Sequence, residues 1–358
     1  MNQIIDKGLE QQYNRFIRNA KNPQLQQLFL ELTQTCNLSC FFCGSKCNEH
    51  KVFDEVPLQE YKKLLDKIKN DFGTNVFIVL TGGEPFLRKD LFEICDYIHK
   101  LGFSWGMTTN ATLIDDEKAQ RLCDYGIYSV AVSLDGTKFT HDKVRQVSGA
   151  YELAINGINA LANAKNRPRI MITTVLNHQS LSEIDEIWEV VKELPIDTWR
   201  VINVEPIGSA VANQDMLFTK DDFVKLFEFI KAKRQENWPV TYGCSHYLFE
   251  NEGLLRNWFY FCNAGLHVAS VMSNGDIGSC LDIERRPETI FGNIYKDDFT
   301  EVWYNGFQIY RNGLYNKSEK CKNCKDVKYC RGDSAHSWDF DNNTPLICMN
   351  DILKTADL

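Results

Sequence analysis

The sequence predicts an α/β fold, a partial (β/α)6 TIM-like barrel followed by a smaller, irregular, cysteine-rich C-terminal domain. Between residues 28 and 235, short β-branched or aromatic runs alternate six times with longer amphipathic segments. A complete eight-stranded barrel needs roughly 250 residues, so six units fit a partial barrel, with a doubly wound open sheet as the alternative. After residue 235 the strands shorten, glycine and asparagine turns multiply, and seven of the thirteen cysteines follow.

Each element has its own pattern. The predicted strands are rich in aliphatic, β-branched and aromatic residues and cover 28–33, 76–80, 103–108, 128–134, 169–175 and 198–204. The predicted helices repeat apolar residues at helical spacing and cover 58–70, 91–100, 115–125, 150–164, 181–194 and 220–235. Residues 1–27 are expected to form a helical extension, 28–235 the barrel, and 236–358 the second domain. Because parallel strands end at one face, residues that directly follow the strands should converge on one site.

The composition excludes several classes of protein. With 358 residues, 44% hydrophobic and 25% charged, the chain is globular rather than disordered. No apolar stretch approaches the roughly 18 residues that span a bilayer, and a net charge of −8 does not suit nucleic-acid binding. The first 30 residues lack a secretory signal, so we expect a cytoplasmic protein whose clustered cysteines bind metal.

The first cysteine cluster follows the first predicted strand. Cys36, Cys40 and Cys43 form a C-x3-C-x2-C loop, and three thiolates can hold one face of a cubane while leaving one iron without a protein ligand. Zinc is the alternative, with Cys47 as the fourth ligand. The spacing resembles that of the radical S-adenosylmethionine (SAM) superfamily. The resemblance implies a 4Fe-4S cluster whose open iron binds the amino and carboxylate groups of SAM.

A glycine motif after the second strand extends the resemblance. The residues Thr-Gly-Gly-Glu-Pro at 81–85 match the family's GGEP motif, which implies that Gly82, Gly83 and Glu84 receive the SAM amino group. Glycine also permits a close approach between the backbone and a ligand. After the third strand, Thr109 lies in a stretch that resembles the family's polar segment beside SAM.

Two residues follow the fourth strand in the places where the family contacts SAM. The resemblance implies that Ser133 bonds the ribose or carboxylate, and that Arg145 pairs with the carboxylate, for which a forked guanidinium is well suited. His141, between them, is expected to be structural. Residues 204–208 resemble the segment that flanks adenine.

The second cysteine group resembles the SPASM domain, which carries auxiliary iron–sulfur clusters. Its members are Cys262 and Cys280 in C-x12-G-x4-C spacing, Cys321, Cys324 and Cys330 in C-x2-C-x5-C spacing, and a final Cys348. The resemblance implies that the last four hold one complete cluster, with structural zinc as the alternative.

The chain departs from the SPASM pattern at one position. The family pattern continues from the equivalent of Cys330 with C-x3-C spacing, but here Ser334 occupies the position of the second cysteine. The Cys262 and Cys280 site therefore keeps only two of its cysteines, and Cys244, Ser334, water or substrate could complete it. We expect one or two auxiliary clusters, and we interpret Cys95 and Cys123 as core residues.

The resemblance implies an enzyme that cleaves SAM to a 5'-deoxyadenosyl radical, with electrons from a donor such as flavodoxin or ferredoxin. The expected substrate is a ribosomally made peptide or protein, modified by hydrogen abstraction. Asp282 is the candidate catalytic proton acceptor. In anaerobic sulfatase-maturing relatives an Asp directly follows the equivalent of Cys280, but here Leu281 does. This offset disfavours a Cys/Ser oxidase, which stays an alternative together with a noncatalytic iron–sulfur or zinc scaffold or electron carrier.

Overall fold

The structure, a computed structural model, describes residues 3–47 and 55–354. The strands are β1 Gln27–Glu31, β2 Phe77–Thr81, β3 Trp105–Thr109, β4 Ser129–Ser133, β5 Arg169–Leu176, β6 Thr198–Asn203, β7 Val240–Tyr242, β8 Val268–Val271, β9 Asp276–Gly278, β10 Ile290–Asn293, β11 Trp338–Asp339 and β12 Thr344–Pro345. The α-helices are α1 Gln3–Lys21, α2 Leu58–Phe72, α3 Leu91–Leu101, α4 Asp116–Asp124, α5 Lys138–Arg145, α6 Ala150–Asn163, α7 Ile184–Val191, α8 Lys220–Gln235, α9 Phe299–Asn305, α10 Gln308–Arg311, α11 Glu319–Lys322, α12 Val327–Cys330 and α13 Met349–Leu353. Each of the six predicted strands and six predicted helices is present, with ends shifted by at most three residues.

The main sheet has ten strands in the order β10-β9-β8-β1-β2-β3-β4-β5-β6-β7. Strands β1 to β7 are parallel, and neighbours in the sheet are neighbours in the chain. A doubly wound sheet reverses its strand order at a switch point, and this sheet does not. The predicted partial TIM-like barrel is therefore confirmed, and the doubly wound alternative is wrong.

The sheet continues into the region predicted as the second domain. Strand β7 pairs in parallel with β6, and β8 pairs in parallel with β1, where Leu28 lies beside Ala269. Strands β9 and β10 follow β8 as an antiparallel extension. The remainder of this region is irregular and consists of short helices and the hairpin β11–β12. The C-terminal residues thus lengthen the barrel sheet at both of its ends.

The core lies between the parallel strands and the helices that cover them. Leu28, Ile78, Val130 and Ile172, on four different strands, are completely buried, as expected for a parallel sheet with its faces covered. Helix α1 contacts the C-terminal region, where Gln12 Nε2 donates to the Phe259 carbonyl at 2.9 Å. Among the described residues, no helix is both long enough and apolar enough to cross a bilayer.

Candidate active site

One cavity of about 1400 Å³ brings together residues from the carboxyl ends of the parallel strands and from the C-terminal region. The predicted site residues on its wall are Cys36, Cys40, Cys43, Gly82, Gly83, Thr109, Ser133, Arg145, Cys262, Cys280 and Asp282. They come from sequence positions almost 250 residues apart. The residues that follow β1 to β4 meet because these parallel strands end at the same face, and Cys262, Cys280 and Asp282 join them from the C-terminal region.

The first cysteine loop lies between β1 and α2 and is tied to the end of α5. The backbone N–H groups of Ser39 and Phe41 donate to the carbonyls of Arg145 and Val144, at 3.2 and 3.1 Å. Burial raises the pKa of the Cys36 thiol to about 11, so a bound metal would have to drive its deprotonation. All thirteen cysteines are free of disulfides. Three thiols from one loop, on one cavity wall, fit one face of a 4Fe-4S cluster.

Cys47 contacts this loop as a hydrogen-bond partner. Its backbone N–H lies 3.5 Å from Cys43 Sγ, and hydrogen bonding from its thiol lowers the pKa of Cys43. The Cys47 thiol also lies 4.0 Å from the carbonyl oxygen of Gly82. Within residues 3–47 and 55–354, no three His, Cys, Asp or Glu side chains are arranged to hold a single metal ion. In this arrangement Cys47 supports Cys43 through hydrogen bonds.

The glycine pair lies against the chain that leads into the cysteine loop. Gly83 N donates to the carbonyl of Thr33 at 2.7 Å. Gly82 has φ +150°, and a Cβ atom on it would lie 2.4 Å from the Thr33 carbonyl oxygen. A Cβ atom on Gly83 would lie 2.1 Å from the Thr35 carbonyl oxygen. Any side chain here would push the cysteine loop away, so these positions require glycine.

Glu84 is fully buried beneath the cavity wall and does not line the cavity. Its carboxylate accepts hydrogen bonds from Thr109 Oγ1 and Asn110 N, both at 2.8 Å, and from Phe86 N at 3.2 Å. Burial raises the pKa of Glu84 to about 7. Asn110 Nδ2 in turn lies 3.9 Å from Cys36 Sγ. Glu84 thus fixes the end of β3 beside the cysteine loop, and its contact with the SAM amino group stays a prediction.

Arg145 belongs to α5, a helix that the sequence patterns did not predict. Its guanidinium forms a buried ion pair with Asp135, and its Nη1 lies 3.3 Å from Cys40 Sγ. Burial opposes the charge, but Asp135 and Cys40 raise the pKa of Arg145 above its usual value. His141 accepts a hydrogen bond from Asp135 N, and burial lowers the pKa of His141 to about 4, so this ring is neutral. Ser133 lines the cavity at the end of β4, and the SAM contacts of Ser133 and Arg145 stay predictions.

Cys262 and Cys280 also line the cavity. Asp282 is exposed to the cavity, with Oδ2 4.0 Å from Cys280 Sγ. Ser334, at the position of the family's additional cysteine, is fully buried, and its hydroxyl donates to the Ser245 carbonyl. It also accepts a hydrogen bond from Tyr260 OH at 3.3 Å. In the described part of the chain, a two-thiol donor set at Cys262 and Cys280 does not fit a four-thiolate cluster.

The other predicted auxiliary site lies outside the cavity, on the short helices at the C-terminal end. Its four thiols come from Cys321, Cys324, Cys330 and Cys348. Burial raises the pKa of Cys330 well above its usual value, and the nearby thiols of Cys348 and Cys321 raise it further. Cys324 N donates to the Cys321 carbonyl at 3.0 Å, which closes the turn between them. Four neighbouring thiols fit a complete auxiliary cluster.

The first cysteine loop and the four C-terminal cysteines together predict how much iron the protein binds. We expect anaerobically reconstituted chain to hold about eight irons, and a Cys36/Cys40/Cys43 triple alanine variant to hold about four. Iron and acid-labile sulfide quantification checks both values. Cys123→Ala, which removes a thiol from the core of the barrel, should leave the content unchanged. A content near twelve would contradict the expectation, because it would require a third cluster at Cys262 and Cys280.

A buried cluster of charged side chains lies on the cavity wall next to Asp282, and the sequence patterns missed its role. His246 lies between two carboxylates, with Nε2 2.8 Å from Glu205 Oε1 and Nδ1 2.9 Å from Asp333 Oδ2. His336 Nε2 lies 3.6 Å from the other oxygen of Glu205. Burial opposes protonation, but Glu205 and Asp333 raise the pKa of His246 to about 10. The available signal was the pair Asp333 and His336, three residues apart just after Cys330.

Comparison with known proteins identifies two domains in this chain. Residues 30–191 match the family model of the radical SAM superfamily, and residues 262–325 match that of the SPASM iron–sulfur cluster-binding domain. The first match contains the cysteine loop, the glycine motif and Arg145. The second contains Cys262 and Cys280 and ends beyond Cys324. The radical SAM domain implies a 4Fe-4S cluster and SAM as cofactors, and the SPASM domain implies auxiliary iron–sulfur clusters.

Whole-chain relatives agree with this assignment. The Fe-coproporphyrin III synthase of Methanosarcina barkeri is 27% identical over 330 residues, which cover 84% of this chain and 81% of that protein. The mycofactocin maturase MftC of Mycobacterium tuberculosis is 27% identical over 311 residues, which cover 84% of this chain and 76% of that protein. The structure of Streptococcus suis SuiB bound to the precursor peptide SuiA has a TM-score of 0.67 and 20% identity, and the match covers 90% of this chain and 74% of SuiB. With the cysteine loop and glycine motif beside one cavity, these matches show that the chain is a radical SAM enzyme with a SPASM domain.

Proposed function

We propose that this enzyme modifies a ribosomally made peptide or protein by removing a hydrogen atom from its side chain or backbone. One observation carries the proposal. A single cavity joins the cysteine loop and five of the six residues predicted at the SAM site, all but Glu84, to Cys280 and Asp282 of the C-terminal region. A substrate in this cavity would lie between the two. The similarity to a maturase and to a structure that holds a precursor peptide supports the peptide class.

The side chains on the cavity wall suit such a substrate. When bound, SAM and its cluster supply a 5'-deoxyadenosyl radical that takes one hydrogen atom from the substrate. Phe41, Phe42, Trp258 and Phe259 give the wall apolar surface against which a peptide side chain can pack. Asp282 is exposed there and is the proposed acceptor of a substrate proton. A flavodoxin or ferredoxin is the proposed electron donor.

A porphyrin is the second candidate substrate. Two relatives from Methanosarcina barkeri, named Fe-coproporphyrin III synthase and AdoMet-dependent heme synthase, align with this chain over 330 and 328 residues at 27% identity, the same identity as the mycofactocin maturase. The product named for the first is a reasonable substrate for an enzyme of the second kind. The cavity of about 1400 Å³ also has room for a molecule of that size. The two classes differ in which deuterated substrate, the peptide or the porphyrin, would transfer its label to the 5'-deoxyadenosine product.

Deuterium transfer tests the proposal. Reconstituted enzyme, SAM and reductant are incubated under anaerobic conditions either with deuterated short peptides encoded beside the gene or with deuterated iron coproporphyrin III. Deuterium in the 5'-deoxyadenosine, together with a mass change in the peptide, supports the peptide class. Transfer from the porphyrin alone would favour the second candidate. SAM cleavage without transfer from any peptide would contradict the proposal.

A further inference from the structure

Arg200 lines the cavity and has no role in the sites described so far. It lies on β6, where Trp199 and Val201 are buried on the other face of the strand and Arg200 and Ile202 line the cavity. Gly243 directly follows β7, and a Cβ atom on this glycine would lie 2.3 Å from Arg200 Cγ and 2.6 Å from Arg200 Cδ. Gly243 therefore leaves the space in which the arginine side chain lies.

Among the described residues, the guanidinium of Arg200 has a single hydrogen-bond acceptor, and it is a hydroxyl. Its Nε and Nη2 both donate to Thr173 Oγ1, at 3.2 and 2.9 Å. Guanidinium has five N–H donors, so these bonds leave three without a protein acceptor in the part of the chain that the structure describes. Within the same residues, no carboxylate lies within 4.0 Å of Arg200.

Two other arginines in the cavity wall, which are more buried, differ from Arg200 in this respect. Arg145 is paired with Asp135, and Arg256 is paired with Glu252. Burial lowers the pKa of Arg200, and the nearby Asp282 carboxylate and Cys244 thiol, neither of which bonds to it, offset this only in part. Arg200 is half-buried, and an anion bound directly to its unused N–H donors would offset the cost of this partial burial.

We propose that Arg200 binds a carboxylate of the substrate. The forked guanidinium suits two-oxygen anions. Among these, a carboxylate matches its single positive charge. A phosphate dianion would meet more repulsion than a carboxylate from Asp282, which lines the same cavity near Arg200. The carboxylate would be a peptide C-terminus or acidic side chain, or a porphyrin propionate. This inference rests on the proposed function because it assumes that the substrate binds in this cavity.

Protection from chemical modification tests the assignment. Phenylglyoxal modification of Arg200 is followed by mass spectrometry in the reconstituted full chain, without reductant. The probes are N-acetyl-alanyl-alanine and coproporphyrin III, with the dipeptide amide and the porphyrin methyl ester as neutral counterparts. We expect an acid, but not its neutral counterpart, to slow modification at least about tenfold. Protection by the dipeptide acid indicates a peptide carboxylate, and protection by the porphyrin acid alone indicates a propionate.

Two outcomes would overturn the assignment. One is protection by SAM alone, which would make Arg200 a SAM ligand. The other is modification that no carboxylate slows. Because no radical chemistry is involved, the result does not depend on whether the enzyme cleaves SAM.

Variants give an independent measurement. Arg200→Gln should lose binding of ¹³C-labelled N-acetyl-alanyl-alanine in NMR titrations, or of coproporphyrin III in absorbance titrations, at least about tenfold relative to the wild type. Arg200→Lys should retain part of it. Arg15→Gln, at an exposed arginine on the same cavity wall, is the matched control and should bind normally. Unchanged iron content and SAM affinity in Arg200→Gln would show that the variant is folded, and normal carboxylate binding by it would refute the proposal.

Discussion

Replacing Cys36 with alanine is expected to abolish formation of 5'-deoxyadenosine from SAM. The donor set at this end of the cavity is three thiols, and removing one leaves the cluster with two protein ligands. Changes merely next to metal ligands cost about 10–100-fold in metal affinity or activity, so loss of a ligand should reduce the rate by more than about a hundredfold. Chromatographic quantification of 5'-deoxyadenosine, with anaerobically reconstituted protein and a chemical reductant, measures the effect.

Cys123→Ala provides the matched control for this experiment. Cys123 is a buried cysteine of helix α4 and does not line the cavity. Its replacement removes a thiol from the same domain and should leave the rate close to that of the wild type. A Cys36→Ala variant that cleaves SAM at the normal rate would show that Cys36 is not a ligand of the SAM-binding cluster.

Replacing Arg145 with methionine is expected to destabilise the protein by about 3–5 kcal/mol, the usual cost of removing one partner from a buried ion pair. The change leaves Asp135, which is completely buried, without its counter-charge. Denaturant unfolding of the cluster-free chain, followed by circular dichroism, measures the loss. Because Arg145 also lies 3.3 Å from the Cys40 sulfur, we expect the reconstituted variant to bind iron less tightly.

Two further variants separate the ion pair from a general effect of losing a positive charge. Asp135→Asn combined with Arg145→Met removes both charges and should recover part of the lost stability. Lys138 lies on the same helix as Arg145 and forms an exposed pair with Glu152 of α6, so Lys138→Met should cost far less than Arg145→Met. If Arg145→Met were no more costly than Lys138→Met, the buried pair would have no particular importance for stability.

The sequence predicts the barrel well because its signals are local. Alternating apolar runs give the strands, and helical spacing of apolar residues gives the helices. Once the strands are parallel, the positions of the cysteine loop, Gly82–Gly83, Thr109 and Ser133 at one face follow without further information. Helix α5 was missed because Lys138–Arg145 is short and strongly polar, so its apolar pattern is weak.

The pairings inside the site could not be predicted in the same way. His246 contacts Glu205 and Asp333, residues that are far from it in the chain, and no spacing pattern links them. Arg145 illustrates a different difficulty. Its residue type suits a SAM carboxylate, but the same chemistry suits Asp135, and only the folded structure shows that Asp135 pairs with it. The sequence does not single out Arg200, because an arginine within a strand carries no motif.

The pairing of β8 with β1 affects how the chain is made. Strand β1 is synthesised early, but the strand that covers one of its edges begins at Val268. At typical synthesis rates of about 5–20 residues per second, this edge would stay open for roughly 10–50 s on the ribosome. An open edge exposes unpaired N–H and C=O groups that can pair with another chain. The N-terminal half is therefore expected to need protection by chaperones during translation, and a chain that ends before β8 should aggregate.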